Sequence, residues 1–172
     1  MFDTDLISSD SLRCILDNPK LILLDASIRP IGVKSAPSPF ACIPGALPFD
    51  IEGRASVQNC DLPHTMIDDV EFTQYAKELG ICDDSIIVIY DVYGVYSSPR
   101  AWWMFKIMGH KHVAVLNGGL PGWVEKGFET NTQLEQANGD GDFLAREVKN
   151  KMLGKQAILS AISTADCQIV DA

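Results

Sequence analysis

Ile86-Ile87-Val88-Ile89-Tyr90-Asp91-Val92-Tyr93-Gly94-Val95-Tyr96-Ser97-Ser98-Pro99-Arg100-Ala101-Trp102-Trp103-Met104-Phe105 is the stretch whose reading decides the fold of this chain. Its first five residues are all β-branched or aromatic, the composition of a strand. Their apolarity is continuous rather than alternating, the pattern of a strand covered on both faces. Asp91 to Ser98 is a loop. Pro99 then occupies a first helical position behind a Ser98 cap, and the helix closes at Gly109. Trp102, Trp103, Met104 and Phe105 are consecutive and so point all round that helix. A helix buried on most sides explains them better than a cofactor site does.

Working outward, Leu21-Ile22-Leu23-Leu24-Asp25 and Val113-Ala114-Val115-Leu116 are further continuous apolar runs. Ser8 to Asp17 is a short helix, capped by Ser8 or Ser9, with Leu12, Ile15 and Leu16 on one face. Asp68 and Glu71 have capping-box spacing and open a helix to Leu79, stopped by Gly80. A short helix surrounds Trp123. Residues 28–48 hold Pro30, Gly32, Pro37, Pro39, Pro44, Gly45 and Pro48, so they form a long structured loop with a short strand near Ala46–Phe49. Residues 50–64 stay irregular. Apolar strands alternating with helices predict an α/β domain with a parallel sheet covered on both faces.

The 172 residues exceed what one such domain needs. Residues 131–154 lose periodicity and read as a linker, with a polar, glycine-rich run at 136–142. Residues 155–163 are helical, and 167–172 read as a strand. Helix, polar turn, apolar strand and Asp-Ala also occur at 11–26, with Asp25 and Asp171 146 positions apart. This weak internal repeat makes residues 155–172 the expected opening of a second, truncated module.

Lys and Arg total 14 against 23 Asp and Glu, a net charge of -9. That balance disfavours tracking of a nucleic-acid backbone and docking on anionic lipid. No run approaches a membrane span, and Met1 to Asp5 has neither signal nor transit character. Five scattered cysteines, Cys14, Cys42, Cys60, Cys82 and Cys167, form neither a disulfide framework nor a zinc site. A reduced, cytoplasmic compartment fits them, with a mitochondrial one open if a leader was removed. Cys42 and Cys60 are expected in accessible loops and Cys14 on the apolar side of its helix.

In a parallel sheet, ligands bind outside the carboxyl ends of the strands. The loop 91–98 therefore aims backbone N–H groups and a helix N-terminus at its own centre, a cradle for an anion. A nucleophilic enzyme of this design would place Cys first in the loop. Asp91 stands there instead. It reads either as the remnant of an anion site or as a structural acid capping local amides. His64 reads either as one half of an acid–His relay with Glu52 or as a surface histidine before a helix. His110 and His112 are expected to stabilise the end of the preceding helix, with no metal spacing. Gly118-Gly119 lacks the third glycine of a dinucleotide fingerprint.

Leu23-Leu24-Asp25-Ala26-Ser27, Ile43-Pro44-Gly45-Ala46, Phe49-Asp50-Ile51-Glu52, Leu62-Pro63-His64, Tyr96-Ser97-Ser98-Pro99-Arg100-Ala101-Trp102-Trp103-Met104-Phe105 and Asn117-Gly118-Gly119-Leu120 with Trp123 together resemble the rhodanese superfamily. The likeness is narrower to the N-terminal halves of tandem-domain thiosulfate and 3-mercaptopyruvate sulfurtransferases. It implies a three-layer domain at 1–130, with a central, mostly parallel five-stranded sheet flanked by helices. The loop holding Asp91, Gly94, Ser97, Ser98 and Arg100 would then be a degenerate active-site loop, with no catalytic residue in this chain. Glu52 and His64 match an acid and a His that, in the mercaptopyruvate branch, reach towards a Ser near the catalytic Cys. Cys42 stands where the family usually has His.

The implied activity is transfer of sulfane sulfur from thiosulfate or 3-mercaptopyruvate to cyanide or a thiol, without metal or cofactor. The implied partner is a C-terminal rhodanese domain carrying the Cys. A stand-alone degenerate module that binds an anion or a partner without catalysis is the alternative. A phosphatase of the same superfamily would need a loop Cys, which 91–98 lacks.

Overall fold

A computed structural model describes residues 4–137, 139–149, 151–164 and 167–170. The strand read from Ile86–Tyr90 is central, and it is β4 once all elements are numbered in chain order. They are β1 (Leu6–Ile7), α1 (Ser9–Ile15), β2 (Leu21–Asp25), β3 (Ala46–Pro48), α2 (Asp69–Glu78), β4, α3 (Ser98–Ile107), β5 (Val113–Leu116), α4 (Gly119–Glu125) and α5 (Lys155–Thr164). The five strands run in the order β1-β5-β4-β2-β3, and every pairing is parallel. Leu23 pairs with Val88 and Val88 with Ala114, so the apolar runs lie side by side.

Strand alternation divides β4 between two cores. Ile87 and Ile89 face α2 and α3, packing with Phe72, Tyr75, Met104 and Phe105. Val88 and Tyr90 face α1 and α4, packing with Leu12, Leu120 and Trp123. The result is the three-layer α/β sandwich that continuous strand apolarity demands. Ser8 caps α1 and Asp68 caps α2, each accepting the N–H three residues on.

Several details depart from the sequence reading. The strand β1 was not expected. Two residues at a sheet edge leave no periodic trace, and Leu6 is exposed while Ile7 is buried. The helix α3 starts one residue earlier, with Ser97 at its cap position and no side-chain cap from that serine. No strand forms over residues 167–170, which have no neighbouring strand to pair with, while Asp171 and Ala172 lie outside the described residues. Cys14 is exposed and Cys42 is buried. The Cys42 thiol is held inside by the carbonyls of Asn131 and Gln133, and burial pushes its pKa up.

Residues 131–137 and 139–148 run along the domain as a strap. Asn131 and Cys42 exchange both backbone hydrogen bonds, and the N–H of Glu135 reaches the Ala46 carbonyl. Farther on, Phe143 N–H donates to Ile81, Arg146 to Met108 and Val148 to Ile107. Phe143 is 3% exposed and joins the α2–α3 core together with Ala145. His110 is buried beside it, with ring centroids 5.0 Å apart, and its Nε2–H donates to the Cys82 carbonyl at 3.2 Å. The imidazole therefore belongs to the core rather than to the end of α3. The helix α5 buries none of its residues.

Candidate functional site

The carboxyl ends of β2 and β4 lie next to each other, with Asp25 in register with Tyr90. Asp91 therefore leaves the sheet at its centre, and the chain must turn back within seven residues to start α3. Asp91 is fully buried. A buried carboxylate needs full hydrogen bonding, and the loop supplies it. Oδ1 accepts the Tyr93 N–H at 2.9 Å. Oδ2 accepts the N–H groups of Tyr96, Ser97 and Ser98 at 2.8, 3.1 and 3.0 Å, and the Ser98 hydroxyl at 2.7 Å. These donors include the first amides of α3, so Asp91 caps that helix from across the loop. Its own carbonyl accepts the Leu120 N–H from α4 at 3.0 Å.

Ser97 is thereby freed for another task. Its hydroxyl donates to the Ala26 carbonyl at 2.7 Å and accepts the Ile28 N–H at 3.0 Å, stitching the loop after β2 to the loop after β4. Ser27 does the same from the other side. Its hydroxyl donates to Asp25 and accepts the Val92 N–H. Asp25 is buried, and desolvation outweighs the Ser27 hydrogen bonds and raises its pKa. The Tyr90 hydroxyl, in the same cluster, accepts the Ile43 N–H at 3.2 Å, and burial raises its pKa.

Gly119 explains how α4 comes so close. A Cβ there would lie 2.0 Å from the Gly94 carbonyl oxygen and 2.5 Å from that of Asp91, and φ is +55°. Only glycine fits this approach. Above the sheet edge lies a cleft of about 610 Å³, lined mostly by apolar side chains that include Phe40, Tyr93, Leu120 and Val124, with Asp25 among its few polar groups.

The structure gathers Asp91, Gly94, Ser97 and Ser98 into one hydrogen-bonded turn. Arg100 points to a different neighbour. Its guanidinium lies 4.9 Å from the Trp103 ring centroid, and Nη2 donates to the His64 carbonyl at 2.8 Å. His64 and Glu52 occupy the preceding loop. Both are exposed, and no hydrogen bond joins their side chains. Asp25, Ser27 and Gly119 are site residues that the reading of chemistry from sequence missed. The position of Asp25 at the end of a strand predicted to be buried was the available signal. Among the described residues no cluster of three His, Cys, Asp or Glu side chains suits a metal, and no helix is long and apolar enough to cross a membrane.

Comparison with known proteins fits this geometry. Residues 8–126 match the rhodanese-like domain family. The chain is 37% identical over 137 residues to thiosulfate/3-mercaptopyruvate sulfurtransferase 1, mitochondrial, of Arabidopsis thaliana, covering 78% of this chain and 35% of that protein. It is 32% identical over 170 residues to the thiosulfate sulfurtransferase of Gallus gallus, covering 95% and 57%. The crystal structure of SseA from Escherichia coli, described among 3-mercaptopyruvate sulfotransferases, superposes with a TM-score of 0.85 at 29% identity, covering 96% of this chain and 64% of that one. The chain thus spans less than two thirds of each of these proteins. With the family matched over most of its length, and with the parallel sheet and the loop after β4 as described, this chain belongs to the rhodanese family.

Proposed function

We propose that this chain is the non-catalytic N-terminal domain of a tandem-domain sulfurtransferase. Residues 131–154 would link it to a second rhodanese-like domain beginning at about residue 155. The parent protein would move sulfane sulfur from thiosulfate or 3-mercaptopyruvate to cyanide or a thiol. The reacting thiolate would come from the second domain: it would attack the outer sulfur of thiosulfate, or the sulfur of 3-mercaptopyruvate, expelling sulfite or pyruvate and becoming a persulfide, and would be regenerated when the acceptor takes that sulfur. A cytoplasmic or mitochondrial setting suits this activity, and one relative is named as mitochondrial.

The observation that carries this reading is the occupancy of the anion cradle by Asp91. Four backbone N–H groups and a hydroxyl converge where a cysteine thiolate would sit, and a carboxylate takes them all. A carboxylate cannot carry sulfane sulfur. The cradle then serves as structure, and the chain offers a cleft wall rather than a nucleophile. In this reading Glu52 and His64 are supporting groups that face the partner domain.

Two measurements test the proposal. The purified chain should form no thiocyanate from thiosulfate and cyanide above a protein-free blank. Turnover that survives Asp91→Ala and disappears on replacing one of the five cysteines would overturn it. The reading frame beyond Ala172 should encode a loop of Cys-Gly-x-Gly character. A stop codon there would favour a stand-alone binding module.

A further inference from the structure

Arg100 is separated from His64 by 36 positions, yet the two residues meet. The loop that carries His64 is closed at its base. Ser56 and Met66 form an antiparallel bridge, and the Val57 N–H donates to the Thr65 carbonyl at 2.7 Å. Gln58 gathers the first half of the loop. Its Nε2 lies within hydrogen-bond distance of the carbonyls of Glu52, Gly53 and Ser56, at 3.0, 2.8 and 2.9 Å. The second half has its own internal bond, from the Thr65 hydroxyl to the Leu62 carbonyl. His64 itself has φ of +58°, a left-handed conformation that a non-glycine residue keeps only when its surroundings hold it.

Arg100 is the neighbour that reaches this residue from the rigid part of the domain. It sits in the first turn of α3, whose start is fixed by Asp91. Its guanidinium is stacked on the Trp103 ring, its Nε is buried without a partner among the described residues, and its Nη2 donates to the His64 carbonyl. A planar, stacked guanidinium delivers its donor in a set direction, which a lysine cannot reproduce.

We infer that Arg100 is the positioning residue for His64: stacked on Trp103, it clamps the His64 carbonyl and fixes the loop that presents His64, to which Gln58 ties the Glu52 carbonyl. The inference deepens the proposed supporting role of that pair and rests on that reading for its link to turnover. The clamp itself rests on geometry alone. A consequence is that the degenerate loop still acts at a distance. Asp91 sets the start of α3, α3 aims Arg100, and Arg100 sets His64.

The test begins with isotope-labelled chain. In Arg100→Ala, the amides of residues 57–62, 64 and 65 should exchange about tenfold faster or more, as expected for loss of a charge-assisted hydrogen bond. Amides of β4 should keep their rates. The His64 Cα and Cβ shifts should leave the values typical of positive φ, and Arg100→Lys should restore them only in part. In a His64→Gly background, where glycine accepts the left-handed conformation without help, Arg100→Ala should have a smaller effect. Unchanged loop exchange, or equal acceleration in β4, would overturn the clamp. In the longer protein, Arg100→Ala should lower turnover with 3-mercaptopyruvate and cause no additional loss beside His64→Ala. A loosened loop with unchanged turnover would uphold the clamp and overturn the working role of His64.

Discussion

Asp91 Oδ2 takes both the backbone N–H and the hydroxyl of Ser98, at 3.0 and 2.7 Å. One oxygen thus satisfies two donors of the residue that opens α3, as well as the N–H groups of Tyr96 and Ser97. The carboxylate works as a remote N-cap whose donors are all local. This arrangement ties the start of a helix to the end of the strand before it.

Replacing Asp91 by Asn should cost about 2–4 kcal/mol of stability, measured by urea unfolding. The amide has only one acceptor oxygen, so either the Tyr93 N–H or the Oδ2 donors face an NH2 group and are left unpaired in a buried site. Unfolding within about 0.5 kcal/mol of the parent would contradict the role given to this cradle.

Asp91→Cys should produce a thiolate with a pKa below the ordinary value of about 8.5, because the same N–H groups and the α3 terminus favour the anion. Thiolate absorbance near 240 nm, followed against pH and compared with the parent chain, reads this directly. A sixth thiol that titrates above that value would mean the cradle cannot hold a sulfur anion.

Gly119→Ala should be far more damaging than Gly127→Ala. The first places a Cβ inside the contact distance of two carbonyl oxygens, whereas the second meets nothing within 4 Å. Both have positive φ, so the shared conformational cost of about 1 kcal/mol cancels in the comparison. The expected difference is at least about 2 kcal/mol in thermal or urea unfolding.

Burial lowers the His110 pKa below its usual 6.5. The folded protein thus resists a proton that the unfolded chain accepts. Full stability is present above about pH 6.5 and declines as pH falls from there towards the folded-state value. His110→Gln, which cannot be protonated, should show a flatter profile of unfolding free energy between pH 7.5 and 5. A slope equal to that of the parent would remove His110 from the explanation.

Thiol accessibility provides a further check on the cysteine assignments. Cys14, Cys60 and Cys167 are exposed, Cys82 is half-buried and Cys42 is buried. An aromatic disulfide reagent should consume three thiols rapidly in the native chain and release the Cys42 signal only on unfolding. Cys42→Ser should leave the rapid phase unchanged.

The sheet was legible because its strands are continuously apolar and its helices have caps and stops close to where the sequence puts them. The first position of the central loop was legible too, since a strand followed by Ser-Pro and a helix leaves one place for the anion. What the sequence hides is partnership across distance. Phe143 lies in a stretch without period, and nothing near it announces that a core pocket beside His110 awaits it. The strand β1 is too short to show alternation. Ser98 reads as the helix cap, but the cap position falls on Ser97, whose hydroxyl turns to Ala26, and Asp91 supplies the acceptor. Arg100 belongs by sequence to one loop and by contact to another. Residues 167–170 have the right composition for a strand, but a strand also needs a partner edge.

The strap changes the mechanics of anything joined to this domain. Among the described residues the strap is hydrogen-bonded to α3 as far as Val148, and six positions, 149–154, lie between that bond and the start of α5. Six residues can reach at most about 20 Å. A unit attached there hangs on a short leash rather than on one that begins where α4 ends. Its local concentration at the domain surface is set by that leash, in the range of about millimolar. Weak contacts, individually too feeble to hold two separate proteins together, are then enough to keep such a unit docked.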